Sequence, residues 1–175
     1  MSAETISRGS RLIEIYTDGS FDAKARFGGW GFVSYEGGRE VHSDSGGHPG
    51  KTNNRFEILA VMHASVWATS NFPHAPLLIW TDSLYVMQGF HRWLPIWRNN
   101  GWRKIDPNNS HRRRPSPDAD VWQRLDGLIA RGCGIRIEWC KAHSGDVANE
   151  QVDILANASR MSQWQMARQP YTNRH

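Results

Sequence analysis

The chain has 175 residues, enough for one domain whose core needs no disulfide or metal staple. A hydrophobic content of 39% with nine tryptophans, against 22% charged residues, excludes a disordered chain. The formal net charge of +4 and the isoelectric point near 9.4 point to an anionic partner, because clustered Lys and Arg displace counterions from phosphate backbones.

That charge is concentrated. Seven of the 21 Lys and Arg residues (Arg92, Arg98, Arg103, Lys104, Arg112, Arg113, Arg114) fall between residues 91 and 114, where Asp106 is the only acid. No run of 18 apolar residues occurs, and Met1 to Arg11 lacks the apolar segment of a signal peptide, so neither secretion nor membrane insertion is expected. The two cysteines, Cys133 and Cys140, form no CxxC pair and no zinc-spaced cluster. Reduced core thiols and a cytoplasmic location are therefore expected; the expected state is a monomer.

Residues 1–10 read as a flexible tail. Leu12 to Asp18 is a strand with Ile13 and Ile15 on one face and Glu14, Tyr16 and Asp18 on the other. Strands at about Trp30 to Tyr35 and Glu40 to Ser45 follow, joined through Gly37-Gly38 in a hairpin turn. From Thr52 to about Thr69 the period becomes helical, with Phe56, Leu59, Met62 and Val66 in register, Thr52 or Asn53 as cap, and Glu57 about one turn inside. Leu77 to Trp80 reads as a buried strand that feeds a helix from Leu84 to Phe90, with Asp82 at the strand's end.

Residues 91–118 form a basic, Trp-containing stretch in which Pro95, Pro107, Pro115 and Pro117 limit helix length, and a protruding helix and loop is expected. A helix from Ala119 to Arg131 places Val121, Leu125, Leu128 and Ile129 on one face; a strand from Ile135 to Trp139 and a last helix from Ala148 to Met161 complete the domain, 11–162. Residues 163–175 read as a polar C-terminal tail. This order predicts an α/β fold with an antiparallel hairpin on an otherwise parallel sheet, whose ligands bind at the strand carboxyl ends.

Two strands end in nearly the same phrase, Tyr16-Thr17-Asp18-Gly19-Ser20 and Trp80-Thr81-Asp82-Ser83. Each Asp taken singly fits a helix cap or a turn, but adjacent strands would make the two carboxylates neighbours. Glu57 lies in an otherwise apolar helical face, where a carboxylate is costly unless it is paired or binds a metal; a solvated helix face is the competing reading. Crowded carboxylates repel unless a cation sits between them, and hard Mg²⁺ with oxygen ligands fits that need.

At this point the residues resemble a family. Thr17-Asp18-Gly19-Ser20, Thr52-Asn53-Asn54-Arg55-Phe56-Glu57, Thr81-Asp82-Ser83-Leu84-Tyr85-Val86, and Lys141-Ala142-His143-Ser144-Gly145 followed by Asn149-Glu150 and Asp153 are similar, in order, to the motifs of type 1 ribonuclease H. The resemblance spans roughly Leu12 to Met161. It implies a ribonuclease H-like fold, with a five-stranded mixed sheet of three antiparallel and two parallel strands flanked by helices. It implies that Asp18, Glu57, Asp82 and Asp153 hold two Mg²⁺ ions, with Mn²⁺ able to substitute, and that His143 is a proton shuttle or an aid to product release. The activity implied is endonucleolytic hydrolysis of the RNA strand of an RNA/DNA hybrid without sequence specificity, leaving 5′-phosphate and 3′-hydroxyl ends.

By the same resemblance the basic stretch, which includes Arg103 and Lys104, grips the DNA strand, with Trp93 and Trp97 at positions near its backbone. Thr52 contacts a DNA phosphate, while Asn53, Asn54 and Gln88 read the minor groove. From the residues alone, Trp93, Trp97 and Trp102 interleaved with Arg and Lys suit contact with sugars and phosphates, or else a packed helix with a solvated basic face. The chain departs from the family pattern in three places: the loop Phe21 to Phe27 lacks an Asn-Pro-Gly run, Leu84 stands where Gln is frequent, and Pro95 interrupts the protrusion helix. These departures imply altered grip with the metal ligands untouched. The competing readings are a hybrid-binding protein with weak catalysis and another nuclease of the same fold class, which activity on duplex DNA would favour.

Overall fold

The central strand β1 (Ile13–Asp22) pairs on one side with β2 (Phe27–Glu36) in antiparallel register and on the other with β4 (Leu77–Thr81) in parallel. With β3 (Arg39–Pro49) beyond β2 and β5 (Ile135–Trp139) beyond β4, the sheet order is β3-β2-β1-β4-β5, the expected mixed arrangement. The structure, a computed structural model, describes residues 12–104, 114–131, 134–142 and 145–169. The expected tail 1–10, residues 105–113 of the basic stretch, Cys133 and His143 lie outside these residues.

Ile13 and Ile15 are fully buried on one face of β1, as the alternation of the sequence requires. Gly37 and Gly38, with φ of 60° and 78°, form the hairpin turn, in a region of backbone space that side chains disfavour. Both hairpin strands run further than expected. Their extra residues include Gly28, Gly29, Gly46 and Gly47, a composition that reads as loop but here permits close packing. A Cβ on Gly29 would lie 2.5 Å from the carbonyl oxygen of Ala156 and 2.6 Å from the amide nitrogen of Arg160.

Helix α1 (Asn53–Asn71) lies between the sheet and α4 (Ala119–Ala130). It is buried on almost every side, at Ile58, Ala60, Val61, Ala64 and Ala68 as well as Phe56, Leu59 and Met62, so the apolar stripe seen in the sequence is only part of its contact surface. On α4 the expected stripe omits Trp122, which is fully buried and donates from Nε1 to the Tyr85 hydroxyl at 3.2 Å.

The expected helix from Leu84 to Phe90 does not end before Pro95. Helix α2 (Leu84–Gln88) passes through a π-helical turn, Gly89–Trp93, directly into α3 (Leu94–Asn99). Pro95 sits in the first turn of α3, where a missing N–H is tolerated, and the wide turn is closed by the Leu94 N–H to the Gly89 carbonyl. The Trp122 ring packs directly on Gly89, where a Cβ would lie 2.2 Å from it.

Helix α5 (Val147–Arg168) corrects the other boundary, because residues 163–168 continue the helix rather than beginning a tail. The long β3 supplies the platform: Gln163 packs beside Gly47, and the Arg168 guanidinium lies 4.6 Å over the Trp164 ring. Among the described residues no helix is long and apolar enough to cross a membrane.

Replacing Gly29 by Ala would force α5 away from the sheet, since the obstructing atoms are backbone. We expect Gly29→Ala to lower the unfolding free energy by about 1–3 kcal/mol in urea denaturation, the usual cost of overpacking. A midpoint equal to the wild type would contradict this packing.

Candidate active site

Parallel pairing of β1 and β4 places Thr17 opposite Thr81, so Asp82, just past the end of β4, lies beside Asp18. Asp18 is inside β1 rather than at the strand end expected from sequence, because pairing with β2 carries β1 on to Asp22. The two threonines hold this junction in place. Thr17 Oγ1 donates to the Trp80 carbonyl at 2.9 Å, and Thr81 Oγ1 accepts from the Ser83 N–H at 3.2 Å. Ser83 then caps α2 by accepting from the Val86 N–H at 3.3 Å.

Glu57 reaches the same point from the first turns of α1. Its Oε2 accepts from the Gly19 N–H at 3.1 Å and its Oε1 from Asn53 Nδ2 at 2.8 Å. Only glycine fits at position 19, because a Cβ there would lie 2.4 Å from the Glu57 nitrogen. One carboxylate oxygen from each of Asp18, Glu57 and Asp82 lies within 4.8 Å of the others. Asp153, near the start of α5, lies within hydrogen-bonding reach of Asp18. Asp18, Glu57 and Asp82 are thus brought together, and Asp153 lies beside Asp18.

Asp18 is 8% exposed and Glu57 6%. Burial, then the charges of Asp82 and Asp153, push the Asp18 carboxyl up to about 8. Burial, followed by the charges of Asp18 and Asp82, holds Glu57 well above the usual carboxylate range; the Asn53 amide and the Gly19 N–H oppose this in part. Such a set of close, buried, hard oxygen donors fits Mg²⁺ or Mn²⁺, whose positive charge would stabilise the ionised carboxylates. Cys140 lies nearby, its Sγ donating to Asn149 Oδ1 at 3.3 Å. Burial and then the charges of Asp82 and Asp146 push its thiol up to about 12, so it stays protonated and unreactive.

The residues expected to meet a substrate fall into two groups. Thr52, Asn53 and Asn54 are exposed at the start of α1, Gln88 is exposed at the end of α2, and Arg103 and Lys104 are exposed beyond α3. A hollow of about 640 Å³ beside Thr52 is walled by Arg26, Lys51 and Arg55. Trp93 and Trp97, by contrast, are only half exposed. Ring centroids 5.9 Å apart for Tyr85–Trp93, and 5.6 Å apart for both Trp93–Trp97 and Trp97–Trp122, make them a row that ends in the core. Arg98 is committed to Asp126. Sequence reasoning missed Asn157, whose Nδ2 donates to Asp153 Oδ1 at 2.8 Å; its spacing of four residues from Asp153 on one helix was the available signal.

Residues 10–161 match the family model described as RNase H. The chain is 39% identical over 146 residues to the ribonuclease H of Bordetella avium, covering 83% of this chain and 88% of that protein. It is 38% identical over 147 residues to the ribonuclease HI of Pseudomonas aeruginosa, covering 83% and 90%. Among solved structures, LC9-RNase H1, a type 1 RNase H with the type 2 active-site motif, superposes with a TM-score of 0.74 at 24% identity, over 89% of this chain and 74% of that one. The solution structure of the PFV RNase H domain gives a TM-score of 0.68 at 23% identity, over 90% and 97%.

The raised Asp18 and Glu57 carboxyls have a consequence for stability. An unfolded Asp loses its proton near pH 4 while the folded Asp18 keeps it to about pH 8, so the stabilisation is complete below the lower value and is lost as pH rises through the upper one. We expect the melting temperature of chelator-treated protein to fall from pH 5 to pH 8 more steeply than that of Asp18→Asn. Mg²⁺ should raise it more at pH 8 than at pH 5. Parallel melting curves for the two proteins across this range would contradict the assignment.

Proposed function

This chain belongs to the ribonuclease H family, and from that premise we propose that it hydrolyses the RNA strand of an RNA/DNA hybrid at the carboxylate cluster. The observation that carries the reading is the approach of Asp18, Glu57 and Asp82 to within 4.8 Å, where β4 ends beside the middle of β1. Asp18, Glu57, Asp82 and Asp153 would hold two Mg²⁺ ions, with Mn²⁺ able to replace them. When bound, such ions supply Lewis acidity, making a water more acidic and offsetting charge on the phosphodiester.

The chain's own side chains do the rest. The Gly19 N–H and the Asn53 amide hold Glu57, and Asn157 holds Asp153, so the ligands are oriented before substrate arrives. Asn54 and Gln88 are exposed, and their amides suit the edges and 2′-hydroxyls of a minor groove. Thr52, beside the hollow walled by Arg26 and Lys51, would take a phosphate of the DNA strand. Arg103 and Lys104 would attract that strand further along, while the partly exposed Trp93 and Trp97 would contact its sugars. His143 would carry a proton to or from the reacting oxygens. In-line attack by water with departure of the RNA 3′ oxygen leaves 5′-phosphate and 3′-hydroxyl ends.

Incubating the purified protein with RNA/DNA, RNA/RNA and DNA/DNA duplexes, with and without Mg²⁺, tests the reading. Cleavage of the hybrid's RNA strand alone, and only with metal, is expected; cleavage of duplex DNA would instead indicate another nuclease of this fold. Asp18→Asn should lose roughly a hundredfold or more in kcat, since metal-ligand charge is worth several kcal/mol in such transition states. Near-normal turnover in that variant would refute the scheme.

Replacing both Arg103 and Lys104 by Ala should weaken hybrid binding and flatten its dependence on salt, by roughly 0.9 in the log–log slope for each phosphate no longer neutralised. Turnover at saturating substrate should be spared. An unchanged slope would remove these two residues from the interface.

A further inference from the structure

Asp153 comes from α5, whereas Asp18 and Asp82 come from the sheet and Glu57 from α1, so its orientation depends on whatever ties α5 to β1. That tie is a chain of hydrogen bonds running in one direction. Arg160 Nε donates to Ser20 Oγ at 2.9 Å, and Ser20 Oγ donates to Asn157 Oδ1 at 2.7 Å. Asn157 Nδ2 then donates to Asp153 Oδ1 at 2.8 Å and to the Asp153 carbonyl at 3.0 Å. Arg160 is itself held by Asp22 Oδ2 at 3.5 Å, and Asp22 Oδ1 accepts from the backbone N–H groups of Lys24 and Ala25 at 2.8 and 3.0 Å.

The direction of this chain follows from the chemistry of its members. Arginine can only donate, so Ser20 accepts from it and has its own proton left for Asn157. With its amide oxygen engaged by that proton, Asn157 must turn its NH₂ group toward Asp153. A flipped amide would set oxygen against carboxylate oxygen. Aligned donors of this kind also polarise and strengthen one another. The chain requires α5 to lie close against the sheet, which the near-contact of Gly29 with Ala156 and Arg160 provides.

We propose that Asn157 is the positioning residue for Asp153: held by Ser20 and Arg160, it fixes the Asp153 carboxylate beside Asp18 and thereby sets the affinity of the cluster for a divalent cation. This rests on Asp153 being a metal ligand. A carboxylate on a helix turns about two side-chain bonds, and ordering it in advance removes that entropy cost from cation binding. Ser20 follows Asp18 by two residues on the same strand face, so one segment of β1 carries a ligand and, through Asn157, orients another.

The test is calorimetric titration of Mn²⁺, without substrate, into the wild type, Asn157→Ala, Ser20→Ala, Ser20→Thr and Asp153→Asn, with melting curves recorded in chelator. Asn157→Ala should bind Mn²⁺ roughly 10–100-fold more weakly, the usual effect of losing an outer-shell partner, while its melting temperature in chelator stays near that of the wild type. Ser20→Ala should weaken binding less, and Ser20→Thr, which keeps the hydroxyl, should recover most of the affinity. Wild-type affinity in Asn157→Ala alongside weakened binding in Asp153→Asn would overturn the positioning role and leave the metal site standing. Unaltered affinity in Asp153→Asn would instead overturn the assignment on which the role rests. Should Asn157→Ala fold poorly, Ser20→Ala decides, and wild-type affinity there overturns the proposal.

Discussion

Like charges held against one another in a buried pocket are the constraint around which this molecule is built. Asp18, Glu57 and Asp82 approach within 4.8 Å, and the first two are almost entirely removed from solvent. Left to themselves such groups separate or take up protons, and the raised Asp18 and Glu57 carboxyls show the second response. What prevents the first is the rigidity of the supports. Asp18 and Asp82 are fixed by the register of two paired strands, and Glu57 by a helix whose backbone touches Gly19.

The same rigidity explains why glycines stand where elements meet most closely. β1 meets α1 at Gly19, β2 meets α5 at Gly29, and the Trp122 ring meets Gly89. Each contact draws a carboxylate-bearing or substrate-facing element closer than a side chain would permit. The metal-binding end is thus an outcome of backbone packing, while the protruding side is organised by aromatic rings, from Tyr85 through Trp93 and Trp97 to Trp122. Those rings anchor the base of the basic stretch to the core and leave Arg103 and Lys104 at the surface.

Much of this was legible in the sequence, for a physical reason that can be stated element by element. β1, β5 and α4 each bury one face, so their apolar residues recur at the period of a strand or a helix. Gly37-Gly38 marks the hairpin because the turn needs positive φ at both positions. The repeated Thr-Asp phrase made Asp18 and Asp82 neighbours, although β1 continues through Asp18 to Asp22 because β2 pairs with it there. The ordered motifs carried the family and with it the expected set, of which Asp18, Glu57 and Asp82 cluster and Asp153 lies beside Asp18.

Tertiary structure alone decided the features that are relations between distant segments. The glycine-rich ends of β2 and β3 have loop-like composition and become strand because α5 and α1 press on them. α5 continues past Met161 because the lengthened β3 offers it a surface. Pro95 stays within a helical path because a π-turn packed on Trp122 absorbs the missing hydrogen bond. Asn157 gains its place only when Ser20, 137 residues earlier, lies against it. Periodicity records which side of an element faces away from water, and it contains no term for which other element lies there or how closely.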